Sequence, residues 1–297
     1  MDQTVSVIMP AYRAEAQVPH AVRSLLAQEH QDWRLLLVSD DGADYEAVLA
    51  RAGISDRRIT HLSSGGTGLG AAASRNVALK VADTAYMALL DADDLFKPEK
   101  LSRSVAALEE YALVSTALEL AASDHRPLRN VGVAPDGPLD SRDFKWHNFS
   151  GDSTLVWDRR RADADYDPGL RTFADLDFLM RLMAHVERGY HIGQPLYVYV
   201  KEANSLSNGA GASTRIIAAK QLLLDRLAAD HYRFRDAGCK ESIMGFLTTS
   251  LAAERSFEAA LAARPGLLFE DHLEPMLAAA RPATVDSVEM GRGHSSS

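Results

Sequence analysis

Apolar residues recur along this chain at two spacings that take turns. Val5-Ser-Val-Ile-Met9 is a short β-type run stopped by Pro10, and Val18, Ala21, Val22, Leu25 and Leu26 then fall at helical spacing. Trp33 to Ser39 returns to the strand pattern. A right-handed crossover makes these two strands parallel and brings Pro10-Ala11-Tyr12 and Asp40-Asp41-Gly42 to one edge of the sheet. The alternation continues with a helix over Tyr45 to Ala52, a strand over Ile59 to Leu62, a Ser/Gly-rich stretch to Gly70 and a helix over Ala71 to Val81. Tyr86 to Leu90 is a continuous apolar run, the pattern of a strand buried on both faces of a parallel sheet.

Beyond it, Glu99 to Tyr111 predicts an amphipathic helix with Leu101, Val105, Leu108 and Tyr111 on one face, followed by a strand from Leu113 to Ala122. Residues 123–143 are rich in Pro, Gly, Asp and Arg and predict hairpin and loop. Thr154 to Trp157 is a short strand, Asp175 precedes or opens a helix, and Leu196 to Val200 is a last strand of aromatic and β-branched residues. Residues 204–213 form a polar joint, after which 216–229, 242–263 and 267–280 are Leu- and Ala-rich, helical in period and free of strand patterns. The expected organisation is α/β: a mostly parallel sheet flanked by helices over 1–207, divided into halves 1–98 and 99–207, then a helical C-terminal appendage over 208–283 and a disordered tail over 284–297. No internal repeat interrupts it.

With 297 residues at 46% apolar, the chain is long enough for one large α/β domain with an appendage, or for two domains. A formal net charge of −9 argues against a nucleic-acid partner, so anionic ligands must be met by local Arg, helix N-termini or a metal. Cys239 is the single cysteine, which forbids an intramolecular disulfide and fits a reducing compartment. There is no basic n-region at the N-terminus and no run of ~18 apolar residues. A cytoplasmic location is expected, with peripheral contact at the inner face of a membrane left open and the C-terminal helices available for packing or homo-oligomerisation.

Charge begins where the buried run ends. Asp91, Asp93 and Asp94 follow Leu90 at the carboxyl end of a predicted strand, where open α/β sheets bind ligands, and such hard oxygen donors suit Mg²⁺ or Mn²⁺. The competing reading is a solvated turn in which Asp94 caps the helix opened by Pro98 and Glu99, and Asp-x-Asp also occurs at 163–165, 165–167 and 175–177. Asp41 offers an acceptor to a nucleobase N–H and Tyr12 a flat face for stacking, against a plain turn for Asp40-Asp41-Gly42. Gly68-x-Gly70-x-x-Ala73 has dinucleotide-fingerprint spacing, but its preceding strand is short and polar, and a loop covering phosphates is the other reading. Arg75 is a candidate for a diphosphate or for a structural ion pair, and His147 a candidate substrate contact or structural group. Asp175, at a helix N-terminus, is a cap or a general base, while Asp177 and Arg181 are spaced for an i, i+4 ion pair.

In this order, Val5 to Pro10 with Tyr12, Asp40-Asp41-Gly42, Arg75-Asn76-x-Ala78, Asp91-Ala92-Asp93-Asp94 with Pro98, and Asp175 with Arg181 resemble the family 2 glycosyltransferases over roughly 5–207. The resemblance implies a GT-A fold and an inverting transfer from a nucleotide-diphosphate sugar, most often a UDP-sugar. It implies nucleotide contacts from Pro10, Tyr12, Asp41, Arg75, Asp91 and Ala92, a divalent cation (Mn²⁺ or Mg²⁺) on Asp93 with Asp91 nearby, and Asp175 as base. The implied acceptor is a saccharide, a lipid-linked species or a small molecule. Two positions depart from the pattern: Ala174 stands where an acid usually precedes the base, and Gly42-Ala43 where Gly-Ser is common. A sugar-1-phosphate nucleotidyltransferase would need a Gly-rich basic loop straight after the first strand, which Pro10-Ala11-Tyr12 does not provide. A silent nucleotide-sugar-binding partner subunit and an NAD-dependent oxidoreductase are the remaining alternatives.

Overall fold

The computed structural model describes residues 3–147, 151–201 and 212–281. β1 (Val5–Ala11) leads through α1 (Val18–Leu26) to β2 (Trp33–Ser39), then α2 (Tyr45–Arg51), β3 (Ile59–Ser63), α3 (Ala71–Val81) and β4 (Tyr86–Leu89). Strand follows helix as the periodicity predicts. β5 (Leu95–Phe96), α4 (Lys100–Leu108), β6 (Leu113–Ala122), β7 (Pro127–Val131), β8 (Gly137–Asp140) and the short α5 (Phe144–His147) come next. A 3₁₀ turn over Asp152–Thr154 enters β9 (Leu155–Asp158), followed by α6 (Ala174–Met183), β10 (Arg188–Lys201), α7 (Ala212–Ala228), α8 (Ala237–Ala263) and α9 (Phe269–Ala280).

The strands form one sheet in the order β3-β2-β1-β4-β9-β6-β10-β5, with β7 beside β6 and β8 beside β10. β3, β2, β1 and β4 are mutually parallel, and β6 pairs parallel with β10. β9 runs antiparallel to both β4 and β6, so the sheet is parallel in its first half and mixed in its second. The chain walks outward from β1 to β3 and then crosses back to the other side of β1. This reversal puts a topological switch point between β1 and β4, and a ligand crevice at their carboxyl ends.

Two differences from the sequence pattern have local causes. The stretch 123–143 yields β7 and β8 as short edge strands, and the last strand begins at Arg188 rather than Leu196. β10 shifts register between Ile192, Pro195 and Tyr197. Pro195 has no N–H for the ladder, and at Gly193 a Cβ would fall 1.5 Å from the Ala134 carbonyl oxygen, so the apolar pattern of the strand is interrupted at this kink.

The C-terminal helices share the main core. Leu223, Leu227, Phe246 and Leu273 join the same buried cluster as Ile8 of β1, Trp157 of β9 and Phe178 of α6. Polar ties cross the same boundary, including Trp146 Nε1 to Ser242 Oγ at 2.7 Å and Lys201 Nζ to Glu270 at 2.9 Å. No helix among the described residues is long and apolar enough to cross a membrane. Most of the joint expected at 204–213 and the tail expected at 284–297 lie outside the described residues.

Candidate active site

β1 ends at Pro10-Ala11-Tyr12 and β4 at Leu90-Asp91, so Tyr12 and the Asp91–Asp94 turn stand on the two sides of the switch point. Tyr12 is 45% exposed, with the Arg13 guanidinium 5.1 Å from its ring centre. An apolar ring left in water beside a crevice is a stacking surface. Opposite it, the turn after β4 is fixed from β10: the Tyr197 hydroxyl donates to Asp94 Oδ2 at 2.7 Å and the Val200 N–H to Asp94 Oδ1 at 2.8 Å. Asp94 is thus neither solvated nor the cap of α4, whose N-cap is Glu99. Burial, together with the charges of Asp93 and Asp91, pushes the Asp94 carboxyl well above the usual carboxylate range. Asp91 and Asp93 remain partly exposed.

Arg75 enters from α3 and is almost wholly buried. Its Nη2 bonds Asp91 Oδ1 at 2.6 Å, its Nη1 lies 3.7 Å from Asp152 Oδ2, and its guanidinium sits 5.3 Å from the Tyr166 ring centre. A buried guanidinium demands such counter-charges, and here it ties the first carboxylate of the turn to a second buried acid. Its Nε has no hydrogen-bond partner among the described residues.

Asp152 is the residue that the sequence pattern missed. Because β9 runs antiparallel to β4, with Ala88 opposite Val156, the turn before β9 lands beside the carboxyl end of β4. The Tyr166 hydroxyl donates to Asp152 Oδ2, and Tyr166 is held by Phe178 of α6, their rings stacked 4.0 Å apart. Such a stack contributes ~1 kcal/mol beyond its buried area. Burial raises the Asp152 carboxyl to about 6, with Arg75 pulling it down and Asp175 and Asp91 pushing it up. Arg75 bridges Asp152 to Asp91, and the Asp175 carboxylate packs against Gly151 beside it.

In the unfolded chain an aspartate titrates near ~3.9. The stability linked to Asp152 is whole below about pH 4 and is lost as pH rises through about 6, where its buried carboxyl ionises. Asp152→Asn is expected to remove that step, so that the variant's Tm gains on wild type between pH 4 and 7. A difference that stays flat across this range contradicts the assignment.

Asp175 lies in the first turn of α6, one residue inside the helix. The N-cap is Phe173, which takes the left-handed conformation (φ 61°) without a side-chain cap. A bulky residue held there is strained, and such strain clusters at functional sites. Asp177 is fully buried and accepts from Arg181 Nε at 2.6 Å, the expected i, i+4 pair, and also from Arg226 Nη1 at 2.8 Å and the Tyr232 hydroxyl at 2.6 Å. Lys145, buried beneath Phe246, is brought down to about 8 by burial against the opposing pull of Asp175 and Asp152.

Gly151 passes so close to Asp175 that a Cβ there would fall 2.2 Å from its Oδ2. The backbone φ of −75° suits alanine, so Gly151→Ala should displace the carboxylate and not the fold. Turnover is expected to fall by about 10- to 100-fold with little change in Tm. Unchanged turnover would mean that the orientation of Asp175 does not matter.

Asp41 takes four donors from its own chain: Ser39 Oγ and Ala43 N–H on Oδ1, Arg13 N–H and the Tyr45 hydroxyl on Oδ2. Burial raises its carboxyl, but these bonds outweigh that and hold it below its ordinary value. A carboxylate has about four acceptor sites, so a nucleobase N–H must displace one of these donors. Asp40 organises the Gly-rich loop instead, accepting Leu69 N–H at 3.0 Å and Gly70 N–H at 2.8 Å. That places a carboxylate at the start of α3, where a dinucleotide fingerprint would hold its pyrophosphate, and the loop follows the edge strand β3. His147 has its ring centre 6.3 Å from that of His191 and a 2.8 Å contact from Arg281.

The family described as Glycosyl transferase family 2 matches residues 6–150. TuaG of Bacillus subtilis, named for teichuronic acid biosynthesis, is 32% identical over 207 residues, covering 69% of this chain and 81% of TuaG. WfgD of Escherichia coli, named a UDP-Glc:α-D-GlcNAc-diphosphoundecaprenol β-1,3-glucosyltransferase, is 36% identical over 107 residues, which are 36% of this chain and 42% of WfgD. Among solved structures, S. aureus TarS (residues 1–349) with UDP-GlcNAc superposes with a TM-score of 0.67 at 15% identity, covering 93% of this chain and 79% of that one. The mannosyltransferase PcManGT of Pyrobaculum calidifontis, with GDP-Man and Mn²⁺, gives 0.54 at 15% identity, covering 93% and 85%. These structures share the GT-A-like fold, and with the sequence relatives they establish that the chain belongs to the family 2 glycosyltransferases and is a glycosyltransferase enzyme.

Proposed function

We propose that the enzyme transfers a sugar from a UDP-sugar to an acceptor hydroxyl with inversion, Asp175 taking the hydroxyl proton. The observation that carries this reading is that Arg75 bridges Asp91 and the buried Asp152, while the Asp175 carboxylate lies against Gly151, the residue before Asp152. Tyr12 and the Asp41 turn receive the nucleobase, with Pro10 and Ala92 shaping the floor between β1 and β4. Arg75 holds Asp91 in place.

Asp91 and Asp93 are hard oxygen donors, and among the described residues no group of three His, Cys, Asp or Glu forms a complete protein cage. That donor set would hold a divalent cation, Mn²⁺ or Mg²⁺, through Asp93 with Asp91 nearby. When bound, the cation supplies neutralisation of the charge that grows on the departing diphosphate.

Asp175 accepts the proton as the acceptor oxygen bonds to the anomeric carbon. The bond from that carbon to the diphosphate oxygen breaks, and its electron pair leaves with the nucleotide. Attack opposite the leaving group inverts the centre. The names of WfgD, a UDP-Glc-dependent enzyme with a diphosphoundecaprenol acceptor, and of TuaG support a UDP-sugar donor and a saccharide or lipid-linked acceptor. A lipid-linked acceptor brings the enzyme to a membrane surface from the cytoplasmic side.

A transfer and hydrolysis screen over nucleotide sugars, with and without EDTA, tests the reading. UDP release from a UDP-sugar, lost in EDTA and restored by Mn²⁺, is expected. Release that survives EDTA, or use of no nucleotide sugar at all, overturns it.

A further inference from the structure

Asp175 is flanked two residues on either side by groups that α7 grips. On one side, Lys220 of α7 places its ammonium 5.4 Å from the ring centre of Phe173, the left-handed N-cap of α6, and 4.9 Å from that of Phe269 in α9. This lysine is fully buried and donates to the Ser250 carbonyl and to Glu254 of α8, each at 3.1 Å. On the other side, Arg226 spans Asp177 at 2.8 Å and Asp167 at 2.7 Å, and the Tyr232 hydroxyl adds a third donor to Asp177. A left-handed Phe and a fully buried Asp each cost free energy; α7 supplies Lys220 to the first and Arg226 to the second, beside Arg181 of α6 and Tyr232 after α7.

We propose that Lys220 and Arg226 are positioning residues, through which the C-terminal helices aim the Asp175 carboxylate at the acceptor. The inference rests on the reading of Asp175 as base. Lys220 fixes the backbone entering α6 by a buried cation–π contact, and Arg226 fixes the first turn by a split ion pair. The helical region thereby governs transfer from outside the stretch matched by the family, residues 6–150.

Removing Lys220 alone strands the buried Glu254, so the test pairs Lys220→Met with Glu254→Leu, an exchange of a buried ion pair for apolar groups that folds tolerate. Arg226→Gln is the second variant, at a partly exposed side chain. Each is compared with wild type and Asp175→Asn for kcat, donor KM, UDP titration with Mn²⁺, and Tm. Both variants are expected to lose about 10- to 100-fold in kcat, with donor KM and UDP affinity within about twofold. A folded pair with unchanged kcat overturns the inference, as does a loss that appears equally in UDP affinity. If Asp175→Asn itself keeps full turnover, the base reading fails instead, which separates the two outcomes.

Discussion

Asp175→Asn is expected to lower kcat by about 10²- to 10⁴-fold while UDP affinity stays within about twofold. Asparagine keeps the size of the side chain and its place one residue inside α6, but it cannot accept the proton of an attacking hydroxyl. In the proposed function the donor is held by Tyr12 and the turn after β4, so its affinity is expected not to pass through this residue. The measurement pairs turnover under saturating UDP-sugar with calorimetric titration of UDP and Mn²⁺. Near-normal turnover would remove Asp175 from the chemistry. A parallel loss of nucleotide affinity would make it a binding or structural group instead.

Asp93→Ala should act on the opposite balance. Loss of a carboxylate at the diphosphate end is worth several kcal/mol of leaving-group stabilisation, so transfer is expected to drop by about three orders of magnitude. UDP binding should lose its response to Mn²⁺, because Asp91 commits one oxygen to Arg75 and Asp94 is spent on Tyr197 and Val200. Titration of UDP with and without Mn²⁺, before any activity is assayed, reads this directly. Binding that still tightens with Mn²⁺ in the variant would move the ion to other ligands.

Much of the first half of the sheet was legible from residue order, because it depends on local patterns. A buried parallel strand ends at Leu90, acids follow it, and the helices between strands announce themselves by their apolar spacing. The separate roles of the three acids were not legible. Asp94 is withdrawn by Tyr197 and Val200, which lie more than a hundred residues away in sequence, and only the pairing of β5 with β10 brings them together. Asp152 was missed for the same reason: it carries no motif, and it reaches Asp91 only through the antiparallel run of β9. Its one local signal was Gly151 before it, a residue that admits the carboxylate of Asp175 where any Cβ would strike it.

Arg75 and Asp41 are limited by their own neighbours. Their residue types suit a diphosphate and a base, yet both are already engaged by their own chain, Arg75 by two acids and Asp41 by four donors. Spacing places a side chain; its neighbours decide how much of it is left for a ligand. The C-terminal helices show the same limit, since composition marks them as an appendage while their side chains complete the core and hold both flanks of Asp175.

In the proposed function the acids after β4 and the acid opening α6 serve one bound donor. A crystal structure with a UDP-sugar and Mn²⁺ in place tests it most directly. An ion held by Asp93 or Asp91 on the diphosphate is expected, with the Asp175 carboxylate facing the anomeric carbon from the side opposite the leaving oxygen. A sugar ring turned away from Asp175, or a nucleotide seated elsewhere than between β1 and β4, would contradict it.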